Sequence, residues 1–244
     1  MTRILFQQSF FRQDVDIYWQ NQPIQLPEQY EKWCEIVWQT RKPQTFDGKI
    51  ARLEDWSIRN EKLELYLCPV FYRTLLASNS FCQEICRDLG TYYCARALGL
   101  SVVIISCDER YFCIKRSQAV EEYPGYWDIV GGHIDCGNDA PDVFAAICQE
   151  IEEETALTTT DSDIECYALM LDEKKHKPEL LFIYKSSLLS TEIENNSKKA
   201  TDRFEYQNCA LFTREQIKDL QSNEPELITP SLMTAFDIIF QKEG

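Results

Sequence analysis

The sequence predicts an α/β fold, and three features of its 244 residues carry that expectation. Ser101 to Ser106 (SVVIIS) is a short, fully apolar run of the kind that forms a buried strand. Val143, Ile147 and Ile151 recur every four residues and give one buried face of a helix. Strand-like segments then return after that helix and are followed by two further helical segments, the order of a sheet covered by helices.

Taken in order, Ile4 to Trp19 reads as one or two strands rich in aromatic and β-branched residues. Pro23 and Pro27 break this pattern, and Glu28 to Thr40 reads as a helix with Trp33, Ile36 and Val37 on one side. Pro43 to Gly48 reads as a turn. Ile50 to Val70 alternates well enough for two strands with Arg59, Asn60 and Glu61 between them, and Phe71 to Leu89 reads as helix. Asp108, Glu109 and Arg110 form a hairpin turn into a strand at Tyr111 to Arg116. Pro124 and Gly125 make another turn, and Trp127 to Val130 is a strand leading into Gly131 and Gly132. Strands are expected at Glu165 to Leu171 and Leu180 to Ser186, across a basic loop. A mobile polar loop follows over Thr191 to Asp202, then a last strand at Cys209 to Phe212. Helices near Arg214 to Gln221 and Ser231 to Gln241 complete the chain.

Composition bounds the function. The hydrophobic content of 44% and charged content of 27% are those of an ordinary globular protein. No apolar run approaches a membrane span, and the first residues lack a signal-peptide pattern, so no membrane partner is expected. The net charge of −15 argues against nucleic acid, whose binding relies on cationic surface. Eleven cysteines scattered through the elements suggest a reduced, cytoplasmic protein. Cys82, Cys86 and Cys94, or His133 with Cys136, match no zinc motif in their spacing, and helical cysteines four apart read as core.

The chemistry concentrates in GGHIDCGNDAPDVFAAICQEIEEETAL, from Gly131 to Leu157. Asn138 and Asp139 are candidate N-caps, and Pro141 suits a first helical turn. Beside the apolar face, Glu150, Glu153 and Glu154 fall within an arc of roughly 100°. Like charges at this spacing repel, and carboxylates late in a helix meet the negative end of its dipole. A divalent cation turns both penalties into ligand binding, and oxygen-only donors point to Mg²⁺ or Mn²⁺. The bland alternative is a solvated acidic face. The preceding glycines favour the metal, because they let backbone carbonyls approach it closely.

These residues resemble the signature of the Nudix hydrolases, G-x5-E-x7-R-E-U-x-E-E-x-G-U with U a bulky aliphatic residue. Gln149 to Leu157 matches the second half, with Gln149 in place of Arg and Ala156 in place of Gly. From Gly132 to Gln149 is 149 − 132 = 17 positions, three more than the pattern allows. The same departures, a Gln before the first Glu of the box and a long loop after Gly-Gly-His, occur in the UDP-glucose pyrophosphatase subgroup. The chain is similar to that subgroup also at Ile36 to Leu53, Tyr72 to Asn79, Lys115 to Val120 and Pro124 to Ile134.

The resemblance implies an α/β/α sandwich with a mixed sheet at residues 99–244 and an α+β region, residues 1–98, packed on it. It implies a metal-dependent pyrophosphatase acting on a small nucleotide-sugar, UDP-glucose cleaved to UMP and glucose 1-phosphate. Glu150 and Glu154 would be the main ligands of Mg²⁺, Glu153 a third ligand or water-positioning group, and Gly132 a backbone ligand. Glu205 occupies the place of a further catalytic carboxylate. Arg116 could reach the diphosphate, and Tyr72 and Asn79 could line the nucleotide pocket; a surface ion pair and simple packing are the competing readings. Another nucleoside diphosphate derivative such as ADP-ribose, or a non-catalytic nucleotide-binding module, are the alternatives. The sequence leaves the oligomeric state open.

Overall fold

The computed structural model describes residues 2–41, 46–120, 122–201 and 206–242. Among them the centre is an eight-stranded mixed sheet. Its strands are β1 (Thr2–Phe10), β5 (Gly99–Ile105), β6 (Tyr111–Arg116), β7 (Trp127–Asp128), β8 (Val130–His133), β9 (Ile164–Asp172), β10 (Lys177–Lys185) and β11 (Tyr206–Phe212). The path runs β1-β9-β10-β5-β6-β11, with β8 added to β5 and β7 to β6. The β5–β10 pair is parallel, the other pairs antiparallel. A second, three-stranded sheet joins β2 (Val15–Trp19), β4 (Lys62–Phe71) and β3 (Lys49–Arg59) in that order.

Period-two alternation in β5 places the layers. Leu100, Val102 and Ile104 enter one core, with Val143, Phe144, Ile147 and Ile151 of α4 (Val143–Thr155) and with Leu53, Leu63, Leu65 and Leu67 of the small sheet. Val103 faces the other core, with Ile217 of α6 (Arg214–Asn223) and Leu232, Phe236 and Ile239 of α7 (Pro230–Lys242). The main sheet is thus covered on both faces, an α/β/α arrangement. A third apolar cluster joins α1 (Glu28–Arg41), α2 (Tyr72–Ser80) and α3 (Cys82–Asp88) through Tyr30, Cys34, Ala77 and Ile85.

Several expectations change. The single helix expected over Phe71 to Leu89 is two, α2 and α3, meeting at Phe81. The strand expected over Trp127 to Val130 divides at Ile129, because the chain there leaves β6 and pairs with β5. The loop expected from Thr191 contains α5 (Ser190–Ser197); its entry is held by Asp108, which accepts from both the Ser190 N–H (2.7 Å) and hydroxyl (2.6 Å). Its polar outer face hid the helix from a reading based on hydrophobic period. The turn expected over Pro43 to Gly48 falls partly, and Glu205 wholly, outside the described residues.

Candidate active site

The glutamate helix begins later than expected. Asp142 caps α4, accepting from the N–H of Phe144 (3.0 Å) and Ala145 (3.2 Å); Asn138, Asp139 and Pro141 lie before it. Arg12 donates to the same cap at 2.8 Å, and Trp19 donates its indole N–H to the Asn138 carbonyl at 3.1 Å. Both come from the N-terminal region, which therefore sets the loop between the glycines and the helix. Val143, Ile147 and Ile151 are fully buried. At about 1.5–3 kcal/mol for each such side chain, their burial outweighs carboxylate repulsion of about 0.2–0.5 kcal/mol per pair. The helix ends at Ala156 in the left-handed region, φ 54°, donating its N–H to the Glu152 carbonyl at 2.8 Å. Ala is tolerated there at a cost of about 1 kcal/mol, so the missing glycine does not alter the helix end.

This helix meets β8 at the glycines. A Cβ built on Gly132 would overlap the Glu150 carboxylate, and one on Gly131 would overlap the Leu100 carbonyl. Glycine is required at both positions for close approach rather than for an unusual φ. Glu154 is buried, 2% exposed, and accepts from the Gly131 N–H at 3.2 Å. Glu153 accepts from the Gln149 amide at 2.8 Å, so Gln149 orients a box carboxylate by an i,i+4 hydrogen bond. Glu152 points outward and is exposed. The structure sets Glu150 against Gly132 and Glu154 against Gly131, with Glu150 and Glu153 lining the same cavity as Gly132 and Glu154 buried behind it, outside the cavity lining. Hard oxygen donors around a glycine that a Cβ would fill fit a divalent cation of the Mg²⁺ type.

Glu150, Glu153 and Gly132 line a cavity of about 910 Å³, a size suited to a nucleotide-sized ligand. Its other walls include Lys49 and Ile50 of β3, Tyr72 and Leu76 of α2, Ser101 of β5 and Thr229 beside α7. Tyr72 and Arg116 also line this cavity. Asn79 does not line the cavity; it donates to Glu122, which does, at 3.0 Å. Arg116 is already engaged, donating to Asp128 at 3.1 Å and to the Glu122 carbonyl at 2.9 Å.

Three wall residues were given no part in the site by the sequence reading. Glu122 receives Lys175 at 2.6 Å and Lys177 at 2.8 Å, so two lysines from the basic loop and the strand after it are half-buried in an ion cluster; Lys174 is exposed. Burial alone would raise the Glu122 carboxyl, but Lys177 and Lys175 together hold it far below the usual carboxylate range. Glu179, beside Gly99 on β10, has its carboxyl raised by burial despite Lys177 and a 2.7 Å bond from Ser231. His133 is held down to about 3, by burial first and then Lys177, so its imidazole is neutral at working pH; among the described residues its Nε2 has no hydrogen-bond partner. The sequence reading weighed His133 with Cys136 as a zinc pair and gave it no part in the pocket.

The NUDIX domain family matches residues 95–230, more than half the chain. Uridine diphosphate glucose pyrophosphatase NUDT22 of Mus musculus is 27% identical over 158 residues, 52% of this chain and 51% of that protein. Its Homo sapiens counterpart is 26% identical over 222 residues, 78% of this chain and 66% of that protein. The chain spans between half and two thirds of the length of these curated relatives. Among solved structures it is similar to the MutT protein from Methanosarcina mazei Go1, at 15% identity, TM-score 0.43, 60% of this chain and 94% of that one. It is similar also to the NUDIX domain of Shewanella oneidensis NrtR complexed with ADP ribose, at 12% identity, TM-score 0.44, 66% of this chain and 98% of that one.

Proposed function

This chain belongs to the NUDIX family, and we propose that it is a Mg²⁺-dependent pyrophosphatase of a UDP-sugar, releasing UMP and glucose 1-phosphate from UDP-glucose. The observation that carries this reading is the meeting of Glu150 with Gly132, beside Glu153, on the wall of a nucleotide-sized cavity. Glu150, Glu153 and Glu154, with the Gly132 backbone, would hold the cation; Mn²⁺ suits the same donors. When bound, such an ion neutralises diphosphate charge and lowers the pKa of a coordinated water.

The remaining tasks fall to the chain itself. Glu154 fixes the glycine strand through the Gly131 N–H, and Gln149 holds Glu153. Lys49, lining the cavity, offers positive charge to a diphosphate. Arg116, which lines the cavity, stays tied to Asp128 and so shapes the wall. The neutral His133 offers a hydrogen bond without adding charge. Glu205 keeps its proposed part as a further carboxylate. The similarity to two UDP-glucose pyrophosphatases supports uridine over adenosine. Because Gln149 serves Glu153 and not Glu150, a nucleotide-binding module without turnover is the second reading.

Product analysis with UDP-glucose, ADP-ribose and CDP-choline, each with Mg²⁺ and with chelator, tests both. The expected outcome is UMP from UDP-glucose alone, only with metal, and a fall of at least about 100-fold in Glu150→Gln. Turnover of ADP-ribose alone would overturn the substrate, and retained nucleotide binding without turnover would establish the module.

A further inference from the structure

The structure brings together three thiols and an imidazole well outside the carboxylate site. Cys82 and Cys86 lie one turn apart on α3, Cys94 follows in the loop before β5, and His176 sits at the tip of the β9–β10 hairpin. One ligand atom from each lies within 4.8 Å of all the others. The Cys82 and Cys86 sulfurs are 4.0 Å apart, and those of Cys86 and Cys94 3.5 Å apart. In a tetrahedral site with Zn–S bonds of about 2.3 Å, neighbouring sulfurs stand about 3.8 Å apart, between these two values. Disulfide sulfurs would lie at about 2.05 Å.

Two further features show that the four groups are held rather than merely adjacent. Arg52, fully buried, donates to the carbonyls of Tyr92, Cys94 and Ala95, and the Ala95 N–H donates to Ser78 at 2.9 Å. The backbone carrying Cys94 is thereby fixed against the β3 strand and α2, as supporting hydrogen bonds fix metal ligands elsewhere. His176 adopts φ 51°, a left-handed turn conformation that a side chain tolerates only at some cost, and it places the imidazole beside the sulfurs. Thiols that merely fill a core have no reason to gather three sulfurs and then add a polar ring. Cys34, in the same apolar cluster, stays outside the group.

We propose that Cys82, Cys86, Cys94 and His176 form a structural zinc site. Three soft thiolates and one imidazole nitrogen, closed and without an open position, suit Zn²⁺ and disfavour the hard cation expected at the carboxylates. The ion would tie α3 and the following loop to the β9–β10 hairpin. That hairpin carries Lys175 and Lys177, whose contact with Glu122 forms one wall of the cavity. The zinc would thus brace the substrate wall from behind without touching substrate.

The test uses the full-length protein, purified under reducing conditions without a metal-affinity step. Elemental analysis is expected to find about one zinc per chain, whose removal by chelator lowers the melting temperature; Zn²⁺ restores it and Mg²⁺ does not. Cobalt loaded in its place should give the intense ligand-field and sulfur charge-transfer bands of tetrahedral thiolate coordination, which carboxylates cannot produce. Cys86→Ser should weaken the sulfur charge-transfer bands by about a third, His176→Ala should shift them, and His176→Cys should restore a tetrahedral spectrum. His176 lies on a hairpin tip, so its variants decide the matter if Cys86→Ser does not fold. Only trace zinc after loading and desalting, a pair of thiols lost to a disulfide, or a cobalt spectrum indifferent to His176→Ala would each overturn the proposal.

Discussion

The two adjacent glycines of β8 separate stability from chemistry at the scale of one methyl group. At Gly131 the added carbon would meet backbone, the Leu100 carbonyl and the Ser101 Cα at 2.9 Å, and backbone inside a paired strand cannot yield. At Gly132 its three nearest neighbours would all belong to the end of the Glu150 side chain, which can swing away. Gly131→Ala is therefore expected to destabilise the fold by about 1–3 kcal/mol, seen as an earlier denaturant midpoint. Gly132→Ala should keep its midpoint and instead lose metal affinity by about 10–100-fold, measured as the Mg²⁺ concentration for half-maximal turnover. Equal midpoint losses in the two variants would remove the close packing of Gly132 on Glu150 as the cause. The glycines were legible as a site that needs close approach, and the structure divides that need between a strand and a carboxylate.

At the scale of elements, the Glu122 cluster pins the loop after β6 to the β9–β10 hairpin. The Glu122 carboxyl is depressed in the folded chain, so the unfolded chain binds more protons as pH falls through the ordinary carboxylate range. The cluster's contribution is accordingly full above about pH 4.5 and is lost as pH falls toward the depressed folded value. Glu122→Gln should cost about 3 kcal/mol at neutral pH, because it strands two half-buried lysines, and should flatten the acid limb of stability against pH. Denaturant midpoints measured from pH 7 down to pH 3 would show it; an unchanged slope would mean that other carboxylates govern acid unfolding. This cluster was invisible in the sequence because its members come from two distant segments, and a lysine-rich hairpin tip reads as solvated. The same blindness hid His176 from the cysteines. By contrast α4 was legible from its four-residue apolar repeat, and so was the crowding of its carboxylates. Its cap was misplaced because three nearby side chains could serve, and the choice of Asp142 is made by Arg12 from outside the segment.

At the scale of the whole molecule, the boundary proposed between residues 98 and 99 runs through shared structure. The NUDIX match begins at residue 95, yet the edge of the main sheet is β1, from the first residues of the chain, paired with β9. Phe6 and Phe10 of that strand lie in the central core, and the leucines of β3 and β4 complete the layer over α4. Period-two alternation showed that these segments are strands, but not which sheet they join, because pairing partners far apart leave no local trace. Expressed alone, residues 99–244 would expose the β9 edge and lose the burial of two phenylalanines, about 3–6 kcal/mol together, comparable to the net stability of many domains. They would also lose Lys49 and Tyr72 from the cavity wall. The fragment is therefore expected to aggregate through its unpaired edge or to remain unfolded, and adding residues 1–98 as a separate chain should recover soluble complex. Size-exclusion chromatography and thermal melting followed by circular dichroism distinguish the outcomes. A monomeric fragment melting with the full chain would show that the first 98 residues are an appendage, whereas rescue by the added chain would show that they finish both the sheet and the site.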